Sequence, residues 1–147
     1  MDITDKIKSH VKLKEGLRLD VYADTRGFLT VGYGHKVNAN DQLKLGDKIT
    51  QQKADNIFEH DFFWMISNVK QLVENFDTMP DNVQIALVDM AYNNGIGGLK
   101  QYKKFLHYVN LREWSKAADE IVDSANYRSR DLSGRYKELE KMVREAK

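Results

Sequence analysis

Glu15, Asp24 and Thr30 are the residues of this chain whose types and spacing suit acid–base chemistry on an acetal. Glu15 ends a helix-like stretch and precedes Gly16. Asp24 opens the turn Asp24-Thr25-Arg26-Gly27, where Asp can bond its own backbone and Gly supplies positive φ. Thr30 lies on an apolar segment, Phe28 to Tyr33, that reads as a strand. Two carboxyl groups held close in unlike surroundings are the minimum equipment for cleaving a glycosidic bond. One donates a proton to the leaving oxygen, and the other stays ionised and manages water or positive charge. A carboxyl at a helix C-terminus meets the negative end of the macrodipole, which favours its neutral form, and burial acts in the same direction. Backbone N–H groups in a turn favour an ionised Asp24. Each residue also has a plainer reading: Glu15 as a solvated acid, Asp24 as an Asx-turn residue, Thr30 as a β-former. His35 reads as a hydrogen-bonded structural residue rather than a catalyst. Asp20 alternates away from Leu19 and Val21, toward solvent.

The elements that must position these residues follow from periodicity. Ile3, Ile7 and Val11 give an amphipathic helix to about Lys14. Leu19, Val21 and Tyr22 form a short strand, and Phe28 to Tyr33 a second one. The polar stretch from Lys36 to Lys48 holds a third short strand or only loop. Thr50 is an N-cap candidate for a long helix carrying Ile57, Phe58, Phe62, Met65, Val69, Leu72 and Val73 at three-four spacing. Pro80 sits where helices begin, and Val83 to Tyr92 is apolar almost all round, the pattern of a central buried helix. Gly95-Ile96-Gly97-Gly98 is expected to stop it. Further helices fit Leu99–Val109, Glu113–Asp123 and Leu132–Ala146. The fold class is α+β, a single domain over residues 1–147. A small lobe of about residues 12–60 is joined by the long helix to a larger helical lobe, about 61–147 plus the N-terminal helix. A groove between lobes suits an extended ligand.

Composition narrows the chemistry further. The chain has 147 residues, 41% hydrophobic and 31% charged, enough for one real core. Residues 1–50 carry nine Lys/Arg against seven Asp/Glu, residues 51–99 two against seven, and residues 100–147 twelve against eight. Such an acidic middle between basic ends can steer an anionic polymer, but solvated helix faces are the favoured reading. Cysteine is absent, which excludes disulfides, zinc thiolates and thiol nucleophiles. His10, His35, His60 and His107 lack metal-ligand spacing, so no metal or cofactor is expected. No apolar run reaches membrane-spanning length, and the polar N-terminus is not a signal peptide. Synthesis in a cytoplasm without export by the general route is expected.

Together these residues resemble a specific family. Glu15, Asp24 nine positions later and Thr30 six later resemble the catalytic Glu–Asp–Thr triad of the phage-type lysozymes, the T-even phage lysozyme family. Glu15-Gly16, Leu17-Arg18-Leu19, Tyr22 and Gly27 frame the triad in the same way. Thr30-Val31-Gly32-Tyr33-Gly34-His35 resembles the family's T-x-G-x-G-H. Tyr92-Asn93-Asn94-Gly95 with Gly97 resembles its aromatic-Asn-x-Gly segment, and Leu132, Arg135 and Glu138 its C-terminal Arg-rich helix. Two positions depart. Tyr127 is the nearest aromatic where the family often has a Trp, and Lys36 stands where an aliphatic residue is common.

The resemblance implies hydrolysis of the β-1,4 bond between N-acetylmuramic acid and N-acetylglucosamine in peptidoglycan, with inversion. Glu15 becomes the proton donor, with Asp24 and Thr30 holding the attacking water. His35 becomes structural, paired with Asp61 in the long helix. Tyr92 and Asn93 line the cleft and contact sugar, and Arg135 is a cleft-side or structural residue. It further implies a monomeric endolysin. Such a protein waits in the host cytoplasm for a holin-type pore, then acts on the periplasm and cell wall, with glycan strands as its partner and neither nucleic acid nor membrane insertion. Two rivals share the residues: a lytic transglycosylase on a related fold, which has no need of Asp24 and Thr30, and a non-catalytic cell-wall binding module. A nucleic-acid binder needs a stronger basic stripe than Arg128, Arg130, Arg135, Lys137, Lys141 and Arg144 provide among their acidic neighbours.

Overall fold

A computed structural model describes residues 1–147. The architecture is α+β, with seven α-helices and one three-stranded antiparallel sheet. No helix is long and apolar enough to cross a membrane. The chain forms two compact units, Thr4–Trp64 and Met65–Lys147, the second including Met1–Ile3.

The first unit holds α1 (Ile3–Glu15), β1 (Arg18–Ala23), β2 (Leu29–Gly32), β3 (His35–Lys36) and the first part of α2 (Gln51–Leu72). Ile7 and Val11, four residues apart, are buried on α1. Lys12 and Lys14 in its last turn complement the helix dipole. Gly16 closes it at φ +72°, with its N–H on the Lys12 carbonyl at 2.9 Å. The sheet order is β1-β2-β3. Tyr22 lies opposite Thr30, and Thr30 opposite Lys36, so one row of residues crosses all three strands. The stretch after Lys36 contains both strand and loop: β3, a 3-10 turn over Ala39–Asp41, and an isolated bridge from Asp20 to Lys48. Thr50 caps α2, accepting the Lys53 N–H at 3.1 Å. Helix α1 groups with the sheet here, whereas its sequence reading puts it with the helical lobe. The reason is local. Lys8 pairs with Glu59 of α2 at 2.7 Å, and the Lys12 ammonium lies 5.0 Å from the Tyr33 ring and 4.9 Å from the Phe58 ring.

The second unit continues α2 and adds α3 (Asp81–Lys100), α4 (Lys103–Asn110), α5 (Trp114–Val122), α6 (Ala125–Arg128) and α7 (Ser133–Arg144). Helix α3 begins directly after Pro80 and buries Val83, Ala86, Leu87, Val88, Met90 and Ala91. Gly95 breaks its backbone at φ 74°, ψ 163°. The break is a kink rather than the expected stop, because helical geometry resumes and runs to Lys100. That continuation needs a small residue at Gly98, where a Cβ would stand 2.8 Å from the Cβ of Asn94. It also delays the next helix, so α4 starts at Lys103 rather than Leu99. Helix α5 packs on α4 and α7, and α7 also packs on α3. Phe105, Ile121, Tyr136, Leu139 and Val143 are fully buried on these helices. Burying each such side chain contributes roughly 1.5–3 kcal/mol.

Candidate active site

The turn after β1 is built on Asp24. Its Oδ1 accepts the N–H groups of Arg26 and Phe28, each at 2.9 Å, and its carbonyl accepts the Gly27 N–H at 2.9 Å. Its own N–H donates to the Phe28 carbonyl at 2.8 Å. The structural Asx-turn reading therefore holds. Both side-chain bonds fall on Oδ1, so the turn makes no use of Oδ2. Thr30 is 5% exposed, and its hydroxyl donates to the same Phe28 carbonyl at 3.0 Å. Phe28 thus ties Asp24 and Thr30 together through its backbone while its own ring is 51% exposed.

Glu15 is the last residue of α1 and is partly exposed. Its carboxyl lies against the backbone of Gly34, between Tyr33 and His35. A Cβ built on Gly34 would stand 2.8 Å from Oε2 and 3.1 Å from Cδ, and Gly34 sits at φ +71°. The positive φ favours glycine there, and an added methyl would push the Glu15 carboxyl aside. All three candidate catalytic residues therefore belong to one unit, with the helix end, the hairpin turn and the central strand each supplying one.

His35 follows Gly34, and both of its ring nitrogens are engaged. Its Nδ1 meets Asp61 Oδ2 at 2.7 Å, and its Nε2 meets Asp41 Oδ2 at 2.9 Å. The hydrogen bond to Asp61 and, against the opposing effect of burial, the second bond to Asp41 push the imidazole pKa up to about 9. Partial burial works against charge on Asp41, yet the Asn38 N–H at 2.8 Å and His35 hold its carboxyl below the ordinary value. Asp61 reaches His35 from the long helix; Asp41 was not foreseen. Asn38 and Asp41 form a reciprocal capping box, and their three-residue spacing is the signal that marks it.

The remaining predicted residues belong to the helical unit. Tyr92 and Asn93 are partly exposed on α3. The Asn93 Oδ1 accepts the Tyr136 hydroxyl at 2.7 Å. Arg135 Nε donates to Asp89 Oδ1 at 2.7 Å, and Asp89 is 0% exposed. Asn94 and Asn126, not singled out by sequence, complete a polar network. Asn94 donates to the Tyr136 hydroxyl at 2.8 Å, and Asn126 donates to Asn94 at 2.9 Å and to the Tyr102 hydroxyl at 3.0 Å. Burial pushes the Tyr136 phenol up to about 12. A cavity of about 590 Å³ opens beside this network, lined by Asn94, Tyr102, Lys103, Glu120, Asp123 and Asn126 among others.

A family profile described as phage lysozyme matches residues 12–143. The endolysin of Salmonella phage P22 is 31% identical over 124 residues, 83% of this chain and 82% of that protein. Probable T4-type lysozyme 2 of Dictyostelium discoideum is 25% identical over 144 residues, 83% of this chain and 85% of that protein. The pre-baseplate central spike protein of Enterobacteria phage T4 is 29% identical over 134 residues, 77% of this chain but 23% of that protein.

Proposed function

We propose, from the premise that this chain belongs to the phage lysozyme family and is a peptidoglycan hydrolase, that it is an inverting muramidase of the lysozyme type. The bond cut is the β-1,4 link between N-acetylmuramic acid and N-acetylglucosamine. Glu15 gives its proton to the glycosidic oxygen as the bond breaks; the negative end of α1 favours the neutral carboxyl that this step needs. Asp24 and Thr30 hold the water that attacks from the opposite face of the sugar.

The observation that carries the reading is the shared Phe28 carbonyl. Thr30 has one hydroxyl proton, and Phe28 takes it. Toward a water, the Thr30 oxygen is then an acceptor, and so is Asp24 Oδ2. A water donating one hydrogen to each presents a lone pair outward, to the anomeric carbon. Tyr92 and Asn93 are assigned to sugar contacts and Arg135 to holding Asp89; the first two roles rest on the family motif. The biological setting is host lysis by a monomeric endolysin, made in the host cytoplasm and reaching the wall through a pore formed by another protein. It is supported by the name of the phage P22 relative.

Purified sacculi test the chemistry. Wild type releases reducing muramic acid ends, inverted at the anomeric carbon by NMR. Glu15→Gln and Asp24→Asn lose activity by about 10²–10⁴-fold, the usual contribution of a positioned acid or base. Undiminished clearing by Glu15→Gln, or anhydro-sugar ends from wild type, overturns the assignment.

A further inference from the structure

The row that crosses the sheet at Thr30 ends on an uncommitted cation. Tyr22, Thr30 and Lys36 are direct cross-strand partners, so their side chains stand on one face of the sheet. Phe28, two residues before Thr30, belongs to the same face by alternation. The Lys36 ammonium confirms this by lying 4.8 Å from the Phe28 ring centroid. Two cations stack on this row, and they differ in one respect. Arg18, 4.2 Å from the Tyr22 ring, gives both Nε and Nη2 to the Asp20 carboxylate at 3.0 Å. Lys36 is exposed, is held by an aromatic ring alone and forms no salt bridge. Its backbone is fixed on both sides, by the pairing with Thr30 and by the Val37 N–H on the Leu29 carbonyl at 2.9 Å. A fixed, unneutralised ammonium beside the residues assigned to the attacking water is placed to meet charge on the substrate.

We propose that Lys36 is a specificity-determining residue: it receives a carboxylate from the peptide stem borne by the muramic acid that lies over Asp24 and Thr30. The inference rests on the muramidase reading and adds to it the anionic part of the substrate. A ligand carrying carboxylates is repelled by an ionised Asp24, and a cation on the Thr30 row offsets that repulsion. The Phe28 ring holds the ammonium through its π face and leaves its N–H donors for the ligand.

The test compares untreated sacculi with the same sacculi after carbodiimide coupling of their stem carboxylates to methylamine. Reducing muramic acid ends are measured at low substrate, so that the rate reports kcat/KM. Wild type is expected to favour the untreated wall by about two- to fivefold, the scale of one exposed charge pair, and to lose that preference as salt is raised. Lys36→Met brings the ratio of the two walls to near one, and Lys36→Arg restores it. A Lys36→Met ratio equal to the wild-type ratio, or no preference in wild type, overturns the inference and leaves the muramidase reading standing. Absence of reducing ends from both walls with wild type overturns both.

Discussion

Asp24 and Thr30 meet at one atom, the carbonyl oxygen of Phe28, which accepts the Asp24 N–H at 2.8 Å and the Thr30 hydroxyl at 3.0 Å. The arrangement separates a stability role from a chemical one. Removing the hydroxyl leaves that carbonyl still bonded by Asp24, so little stability is lost. Thr30→Val, of nearly equal volume, is expected to move Tm by only about 2–4 °C, near 1 kcal/mol for a chain of this size. Its kcat falls about 100-fold, because water loses one of its two anchors. Thr30→Ser keeps most of the rate. A valine variant as fast as wild type would show that the hydroxyl holds no water.

Gly34 tests the placement of Glu15. An alanine there adds a methyl 2.8 Å from the Glu15 carboxyl oxygen and holds a side chain at φ +71°. Gly46 has a similar φ of +88° with nothing within 4 Å of a built Cβ. Both Gly34→Ala and Gly46→Ala bear the backbone strain, about 1–2 kcal/mol, or roughly 2–8 °C in Tm. Only Gly34→Ala displaces the acid, so only it loses more than about tenfold in kcat. Equal activity losses in the two variants would sever Glu15 from the reaction.

What the sequence made legible was whatever a local rule carries. Helix α1, the hairpin, the Thr50 cap and the start of α3 after Pro80 all follow from spacing and capping chemistry. Helix α3 reads as apolar almost all round, yet Gln84 and Asp89 are buried within it. Arg135, an ion-pair partner of the buried Asp89, lies 46 positions away, and periodicity does not reach that far. Asp41 escaped notice for a related reason: its stretch looks like polar loop, and the His35 bond depends on how β3 turns into it. Asn94 and Asn126 bond to each other directly, and their further partners are the hydroxyls of Tyr136 on α7 and of Tyr102 just before α4. Residues named by the family motif came into view early; residues that serve as their distant supports did not.

His35 makes stability depend on pH in a direction that can be stated. Its folded pKa is raised from 6.5 to about 9 by Asp61 and Asp41. The contribution is therefore fully present below the unfolded value and lost as pH rises through about 9. With the side chain 13% exposed, the linkage is worth about 3 kcal/mol at most below pH 6.5. Denaturant unfolding should find His35→Asn less stable than wild type by about that amount at pH 6, and nearly level with it at pH 10. On the acid side, Asp41 has a lowered pKa, so its part is lost as pH falls through that value. A His35→Asn deficit that is constant from pH 6 to pH 10 would mean that the imidazole is not charged by its neighbours.

Arg135 separates a binding role from a structural one. Its Nε lies 2.7 Å from an Asp89 oxygen, and that carboxyl has no exposed surface. Removing the cation breaks a buried ion pair from one side, which costs about 3–5 kcal/mol. Arg135→Met should therefore lower Tm by on the order of 10 °C. Adding Asp89→Leu removes the other partner and should recover part of the loss, since replacing both partners of a buried pair is often neutral. Assayed well below its melting temperature, a KM near wild type is the outcome expected of a residue that acts through Asp89. A raised KM with unchanged Tm would reverse the assignment and put Arg135 on the sugar, since loss of uniform binding raises KM without touching kcat.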